Sequence, residues 1–187
     1  EQRQAAADRG EHSSWRSIRL AQRRPRGLTA SGAPCRPNAQ VALPAWGDER
    51  PPMEQIGEAR AALLDGTDTP DAEAAKALAR TYLHFGFGAE AAQVLDAFAI
   101  SPQEAPGLHD LALLVDGLTP EAPERYIDQM SCDSNIALWA VLAQPEPGPP
   151  AGAPIETGAV RRAFSLLPLH LRRHLGDVTM LESLLLE

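Results

Sequence analysis

From residue 53 onward, apolar positions recur at the three- and four-residue spacing of amphipathic α-helices. One set follows the spacing i, i+3, i+4, i+7 and comprises Ala75, Leu78, Ala79 and Tyr82. After Gly86-Phe87-Gly88, a second set repeats that spacing and comprises Ala91, Val94, Leu95 and Phe98. Two amphipathic helices joined by so short a turn bury their apolar stripes against each other, which predicts an antiparallel pair.

Helix start signals continue towards the end of the chain. Residues 53–65 are predicted to form the first helix. The later helices are predicted to open at Thr69-Pro70-Asp71, the capping box Ser101-Pro102-Gln103-Glu104, Thr119-Pro120-Glu121, residue 133, Thr157, Pro168 and Asp177. Their predicted inward residues are Leu108, Leu111, Leu114, Val115 and Leu118; Tyr126, Ile127 and Met130; Ile136, Trp139, Ala140 and Ala143; and Val160, Ala163, Phe164 and Leu167. Strand-type alternation is essentially absent after residue 53, so the predicted fold class is all-α, built from stacked antiparallel helix pairs.

Two stretches lack a helical spacing. Residues 1–52 are predicted to form an irregular, arginine-rich segment, from which Trp46 docks on a helical domain at 53–187. Residues 145–154 are rich in proline and glycine, which predicts a stiff connector of polyproline character within that domain.

The net charge of −8 is unevenly distributed. Residues 1–40 hold eight arginines against three carboxylates, whereas residues 41–187 hold nine basic and 22 acidic side chains. An acidic body repels phosphate, which argues against a nucleic-acid partner there. The arginine-rich start could contact an anionic partner or a membrane face, or it could be a solvated tail or pack on its own acidic domain. No apolar run approaches the roughly 20 residues that span a bilayer, so no membrane span is predicted.

The two cysteines leave two hypotheses open. Cys35 lies in a proline-flanked loop, and Cys132 directly precedes a predicted helix. A disulfide would tie the irregular segment to the helical body, and closing a loop near 100 residues contributes about 4 to 5 kcal/mol in the chain-entropy model. The alternative is two unrelated thiols, one exposed and one buried. A bridge would indicate an oxidising compartment, periplasmic or secreted, whereas free thiols would indicate the cytoplasm.

The stretch at 71–102 resembles a tetratricopeptide repeat. The positions that carry the resemblance are Leu78-Ala79, Tyr82, Gly86, Glu90-Ala91, Leu95 and Pro102. The openings at Thr69 and Ser101 lie 32 residues apart, close to the roughly 34-residue period of that family. Ala75 stands where the family often has tryptophan, and Phe98 where it usually has a small residue. The resemblance implies a helical solenoid with a concave groove that binds peptides or partner proteins.

Candidate chemistry is sparse. His170 and His174 lie at i and i+4, a spacing that metal ions can use. The pattern lacks the glutamate of a zinc-protease helix, and Arg172 and Arg173 add positive charge, so a charged, solvated helix face is the favoured interpretation. The glycines at 86–88 follow a helix and lack the lysine of a phosphate loop. No cofactor, metal ligand or catalytic residue is therefore predicted.

The predicted function is a non-catalytic protein-interaction or scaffold module, bacterial and exported if the cysteines pair. Its binding face is predicted to comprise Tyr82, His84, Phe87 and Trp139. Core packing is the alternative for each of these four. Two other functions stay open: a supporting domain of a larger enzyme, and a metal-dependent hydrolase using His170 and His174. The start without methionine and the apolar ending at Met180 to Leu186 suggest an excised part of a longer product.

Overall fold

The computed structural model describes residues 27–63, 71–145 and 148–176. Within those ranges the chain forms seven α-helices and four 3₁₀ helices, and its one pair of bridged extended residues is Leu28 with Pro34. The α-helices are α1 (Pro52–Leu63), α2 (Ala72–Phe85), α3 (Gly88–Ala97), α4 (Leu108–Val115), α5 (Ile136–Leu142), α6 (Thr157–Leu166) and α7 (Leu169–Gly176). The 3₁₀ helices are Asn38–Gln40, Leu43–Trp46, Pro123–Tyr126 and Asp128–Ser131. The predicted all-α class is confirmed.

Helices α2 and α3 form a hairpin with well-defined ends. The Asp71 carboxylate caps α2 by accepting hydrogen bonds from the backbone N–H groups of Glu73 and Ala74. Gly86, at φ +84°, ends the helix in the left-handed conformation. Its N–H donates to the Leu83 carbonyl, and the next N–H donates to Tyr82, which is the Schellman arrangement. Asp71 takes the capping role that was predicted for Thr69, which lies outside the described residues.

The apolar stripes predicted for this hairpin lie inside. All members of the first set are buried, as are Ala91 and Leu95 of the second. Val94 and Phe98 are half-buried and pack against the core. Each helix from α1 to α5 contacts the next one along the chain. Consecutive helices therefore bury one another's apolar faces.

Helix α4 approaches α3 closely at Gly88. A Cβ atom there would lie 2.2 Å from the Ala112 carbonyl oxygen and 2.4 Å from Asp116 Oδ1, far inside contact distance. The Asp116 carboxylate instead accepts a hydrogen bond of 3.0 Å from the Gly88 N–H. One side chain beyond the end of α4 thus caps the start of α3.

The prediction that a helix begins at Ser101 is wrong. The reciprocal hydrogen bonds of a capping box do form, from Ser101 N–H to Glu104 Oε2 at 2.9 Å and from Glu104 N–H to Ser101 Oγ at 3.3 Å. The chain then passes through turns, because Pro106 disfavours helical backbone at the residue before it, and α4 begins after Gly107 at φ +86°. Leu118, predicted to face inward, lies beyond α4 and is 55% exposed.

The prediction of an α-helix that begins at Thr119 is also wrong. Two 3₁₀ helices take its place. Pro123 explains the difference, since in an α-helix it would lack an N–H and its ring would clash with the carbonyl four residues earlier. The residues predicted to face inward still do so in the 3₁₀ helices, because Tyr126 and Met130 are buried and Ile127 is half-buried.

The last helices follow the prediction with small shifts. Helix α5 lies inside the predicted range of 133–144, with Ile136, Trp139, Ala140 and Ala143 buried. Thr157 is the first residue of α6, not its cap. Residues 148–154 form turns, and the helix predicted after Asp177 lies outside the described residues. In the described ranges no helix has the length and apolar character needed to cross a bilayer.

Candidate binding grooves

Residues 27–47, here called the strap, lie across the helical body. A disulfide joins Cys35 of the strap to Cys132, with a Cα–Cα distance of 6.0 Å. The hypothesis of a bridge is thereby confirmed, and that of two unrelated thiols is wrong. Val41 and Leu43 of the strap are both buried in the common core, where Leu43 is 0% exposed. The strap is therefore part of the folded unit.

Two buried side chains of the body hold the backbone of the strap. Trp139 Nε1–H donates to the Val41 carbonyl at 3.2 Å. The His84 imidazole donates from Nδ1 to the Leu43 carbonyl at 2.8 Å. The two carbonyls belong to residues two positions apart, so the body binds alternate backbone groups of a segment whose own hydrogen bonds are few.

The other end of the strap is held in the same manner. The Gln129 side chain accepts from the Arg36 N–H at 2.9 Å and donates to the Pro34 carbonyl at 3.2 Å. Asn38 of the strap accepts from the Asn135 N–H at 3.0 Å, just before α5, where helix N–H groups lack partners within the helix. These bonds and the disulfide hold the strap on the body. The surface of the body that the strap covers is here called the strap channel.

A charged side chain of the strap reaches into a partly buried network. Arg36 lies over the Tyr126 ring, 4.5 Å from its centroid, and donates from Nη1 to the phenol oxygen at 3.0 Å. The phenol donates in turn to Asp110 Oδ2 at 2.6 Å. Burial raises the pKa of the Tyr126 phenol above its ordinary value, and the hydrogen bond to Asp110 raises it further. The phenol thus stays protonated and fixes both of its neighbours.

An open groove lies on another side, over α2 and between α1 and α3. It has a volume of about 450 Å³. Its lining residues are Arg60, Leu63, Leu78, Tyr82, Glu90, Gln93, Val94, Ala97 and Phe98. Tyr82 is only 4% exposed, and its phenol oxygen accepts a hydrogen bond of 2.8 Å from Arg60 Nε. This bond fixes the guanidinium beside the apolar floor of the groove.

The four residues of the predicted binding face are divided among three places. Tyr82 lines the open groove, whereas His84 and Trp139 hold the strap. Phe87 is 40% exposed on the turn between α2 and α3, with its ring edge-on to Tyr82 at 6.3 Å between centroids. They form no single face, and a role of each in binding a partner stays a prediction.

The main groove residues that sequence reasoning missed are Arg60, Gln93 and Glu90. Val94 and Phe98 were recognised as members of an apolar stripe. A signal was present in that stripe, because Val94 and Phe98 widen the apolar face of α3 beyond Ala91 and Leu95. Trp46, predicted to dock on the body, does pack half-buried against the core.

His170 and His174 join α7 to two other helices. His170 Nε2–H donates to the His84 carbonyl in the last turn of α2, at 2.8 Å, and His174 Nε2–H donates to the Val115 carbonyl at the end of α4, at 2.9 Å. A carbonyl oxygen only accepts, so each Nε2 carries a proton and has no lone pair for a metal ion. The two rings cap helix C-termini, and both residues are also exposed, as the interpretation of a solvated face expects. In the described part of the chain, no three His, Cys, Asp or Glu residues are grouped to hold a metal ion.

A second, polar depression of about 500 Å³ lies beside Trp46 and Gly47. Its charged lining residues are Arg50, Asp48 and Glu58, and Arg50 pairs with both carboxylates and with Glu54 outside the lining. The Arg50 backbone N–H donates to Asp48 and, with the guanidinium, holds the pKa of that carboxyl below its usual value. The lining therefore has one carboxylate more than it has cations, and both carboxylates already pair with Arg50.

No model of a known protein family, no curated protein and no solved structure matches this chain.

Proposed function

We propose that this chain is a non-catalytic protein-interaction module, in which the groove over α2 receives a segment of a partner polypeptide. The proposal includes a tetratricopeptide-like arrangement of α1 to α4 as stacked antiparallel pairs. The sequential packing of these helices and the hairpin at 72–97 support it.

One observation carries the proposal: the open groove is lined largely by apolar side chains that the described chain leaves uncovered. Leu63, Val94 and Phe98 are only half-buried there, whereas Leu95 of α3 is fully buried. Apolar surface left open beside a few polar groups is characteristic of a binding site. The strap channel supplies the contrast, because its apolar and polar groups are already occupied.

The test is site-specific photo-crosslinking with the full chain in the cells that make it. A benzophenone side chain replaces Gln93, which is exposed at the groove, or Ala77, which is exposed on α2 outside the groove. We expect Gln93 to crosslink to one defined segment of a partner and Ala77 not to do so. The Val94→Asp substitution should abolish that product, because a carboxylate in the apolar floor is costly to desolvate. Equal labelling from both positions, or labelling that survives Val94→Asp, would contradict the proposal.

A further inference from the structure

The two grooves of this molecule differ in what they offer to a bound backbone. In the strap channel, Trp139, His84 and Gln129 form hydrogen bonds with backbone groups of a segment that lacks a continuous α-helix. The open groove has an apolar floor of Leu78, Val94 and Phe98 and few polar side chains in its lining. An extended peptide lying there would leave its own N–H and C=O groups without partners, at a cost for each one buried. A helix satisfies those groups internally, so the open groove favours a helical occupant.

The dimensions agree with a short helix. The wall formed by α3 and its C-cap residue extends from Glu90 to Phe98, and the eight steps between them at 1.5 Å each span about 12 Å, or roughly two helical turns. Two turns present apolar side chains at positions i, i+3 or i+4, and i+7 towards one surface. Such a row matches the ridges that Leu78 and Tyr82 form on α2 and that Val94 and Phe98 form on α3, each pair at i and i+4.

The walls carry opposite charges. Among the described lining residues, Arg60 on α1 and Glu90 on α3 are the charged ones. The hydrogen bond from Arg60 Nε to Tyr82 orients the guanidinium, whose two terminal nitrogens carry four further N–H groups. A carboxylate on one flank of the bound helix can accept from these groups, while a cation on its other flank faces Glu90. The charge difference between the walls thus distinguishes one direction of the helix from the reverse.

We infer, on the basis of the proposed function, that the groove takes an amphipathic two-turn helix of a partner protein, with acidic residues on the flank beside Arg60 and basic residues on the flank beside Glu90. The two charges determine the direction in which the helix lies. Exposed ion pairs contribute up to about 1 kcal/mol each, so each one changes affinity by at most about fivefold. Their main effect is on orientation.

The experiment uses synthetic stapled helices with one apolar face and three kinds of flank: acidic on one side and basic on the other, acidic on both, or basic on both. A nitroxide at the peptide N-terminus reports direction by broadening the amide NMR signals of nearby groove residues in the full chain. We expect the mixed peptide to bind most tightly and to broaden signals at one end of the groove only. In the double variant Arg60→Glu/Glu90→Arg, the same peptide should bind with similar affinity and broaden signals at the opposite end.

Controls separate this inference from the function on which it rests. Arg80→Glu makes the same charge change on α2 outside the groove lining and should leave affinity and direction unchanged. Arg60→Gln removes the charge without reversing it, and it should weaken the mixed peptide and leave both directions populated. If all three peptides bind equally and the double variant keeps the original direction, the two charges do not determine the direction of the helix. The proposal that the groove binds a partner segment would then still hold.

Other occupants give different results. If no helical peptide binds but an unstructured peptide of the same composition does, the helical occupant is wrong. If the chain itself forms a dimer that Val94→Asp dissociates, the occupant is a second copy and the inference is overturned. If no peptide binds and the Gln93 crosslink is also absent, the proposed function itself fails.

Discussion

The strap channel and the open groove are two concave surfaces of one helical body. The strap covers the first, whereas the second is open. The strap fills its channel with buried side chains, hydrogen bonds to its backbone and a covalent bridge. The open groove lies over the same helix, α2, and its half-buried side chains have no such cover in the described chain. Apolar residues on a helix therefore do not by themselves identify a binding site. A binding site requires, in addition, that no other segment of the same chain covers the apolar surface.

If this comparison is correct, changes in the strap reduce stability, and changes in the groove reduce binding with little effect on stability. The largest effect is expected from the disulfide. Replacing both Cys35 and Cys132 by alanine should lower the free energy of unfolding by about 4 kcal/mol, because the bridge closes a long loop in the unfolded chain. Urea denaturation with and without a thiol reductant measures this loss. The double variant, which has no bridge, should be indifferent to the reductant; a loss below about 1 kcal/mol would show that the strap is held without it.

Next in size is a matched pair of truncations, Leu43→Ala in the strap and Val94→Ala in the groove. Leu43 is fully buried, so its truncation should cost about 2 to 5 kcal/mol through lost burial and the cavity left behind. Val94 is half-buried, and its truncation should cost about 1 kcal/mol. Denaturation midpoints measured under one condition check the difference. Equal losses would remove the distinction between the two surfaces.

A smaller effect is expected from Trp139→Phe, which removes the indole N–H that donates to the Val41 carbonyl. Leaving that buried carbonyl without a donor should cost about 1 to 3 kcal/mol. The same substitution at half-buried Trp46 serves as the control and should cost less. Hydrogen exchange should also increase in the strap of the Trp139 variant before it increases in α2. Uniform exchange across both elements would contradict a local role.

The smallest effect near neutral pH concerns Tyr126, whose pKa is raised in the folded chain. Its contribution to stability is fully present below the unfolded pKa of about 10 and is lost as pH rises through the higher folded value. In that range the unfolded chain has released a proton that the folded chain retains, which favours unfolding. Denaturation from pH 8 to 11 should show this decline, and the difference from Tyr126→Phe isolates it. A variant with the same alkaline decline as the parent would show that other groups cause it.

Much of the fold follows from local spacing, and the failures have physical causes. The hairpin α2–α3 was predictable because its two stripes are complete and Gly86 ends the first helix. Prolines 106 and 123 lie within otherwise helical patterns, and there the start signals at Ser101 and Thr119 predicted helices that do not begin where expected. A capping box satisfies N–H groups in a turn as well as in a helix, so it does not by itself establish a helix.

The grooves were less predictable than the fold, because each depends on contacts between distant residues. Tyr82 was recognised as a candidate, but Arg60, 22 residues away, joins it only through tertiary packing. His84 and Trp139 were predicted to belong to a binding face, with core packing as the alternative, and both are buried. Their partners, Leu43 and Val41, lie 41 and 98 residues distant, in a segment without periodic spacing. No local pattern contains that information.

The bridge between Cys35 and Cys132 also has a topological consequence. It turns the intervening backbone into a covalent ring that includes α1 to α4 and leaves α5 to α7 outside. A protease that cuts any one peptide bond within the ring opens it without separating the pieces covalently, whereas a cut after residue 132 leaves two fragments with no covalent link between them. A nicked molecule can therefore keep the groove assembled until a thiol divides it in two.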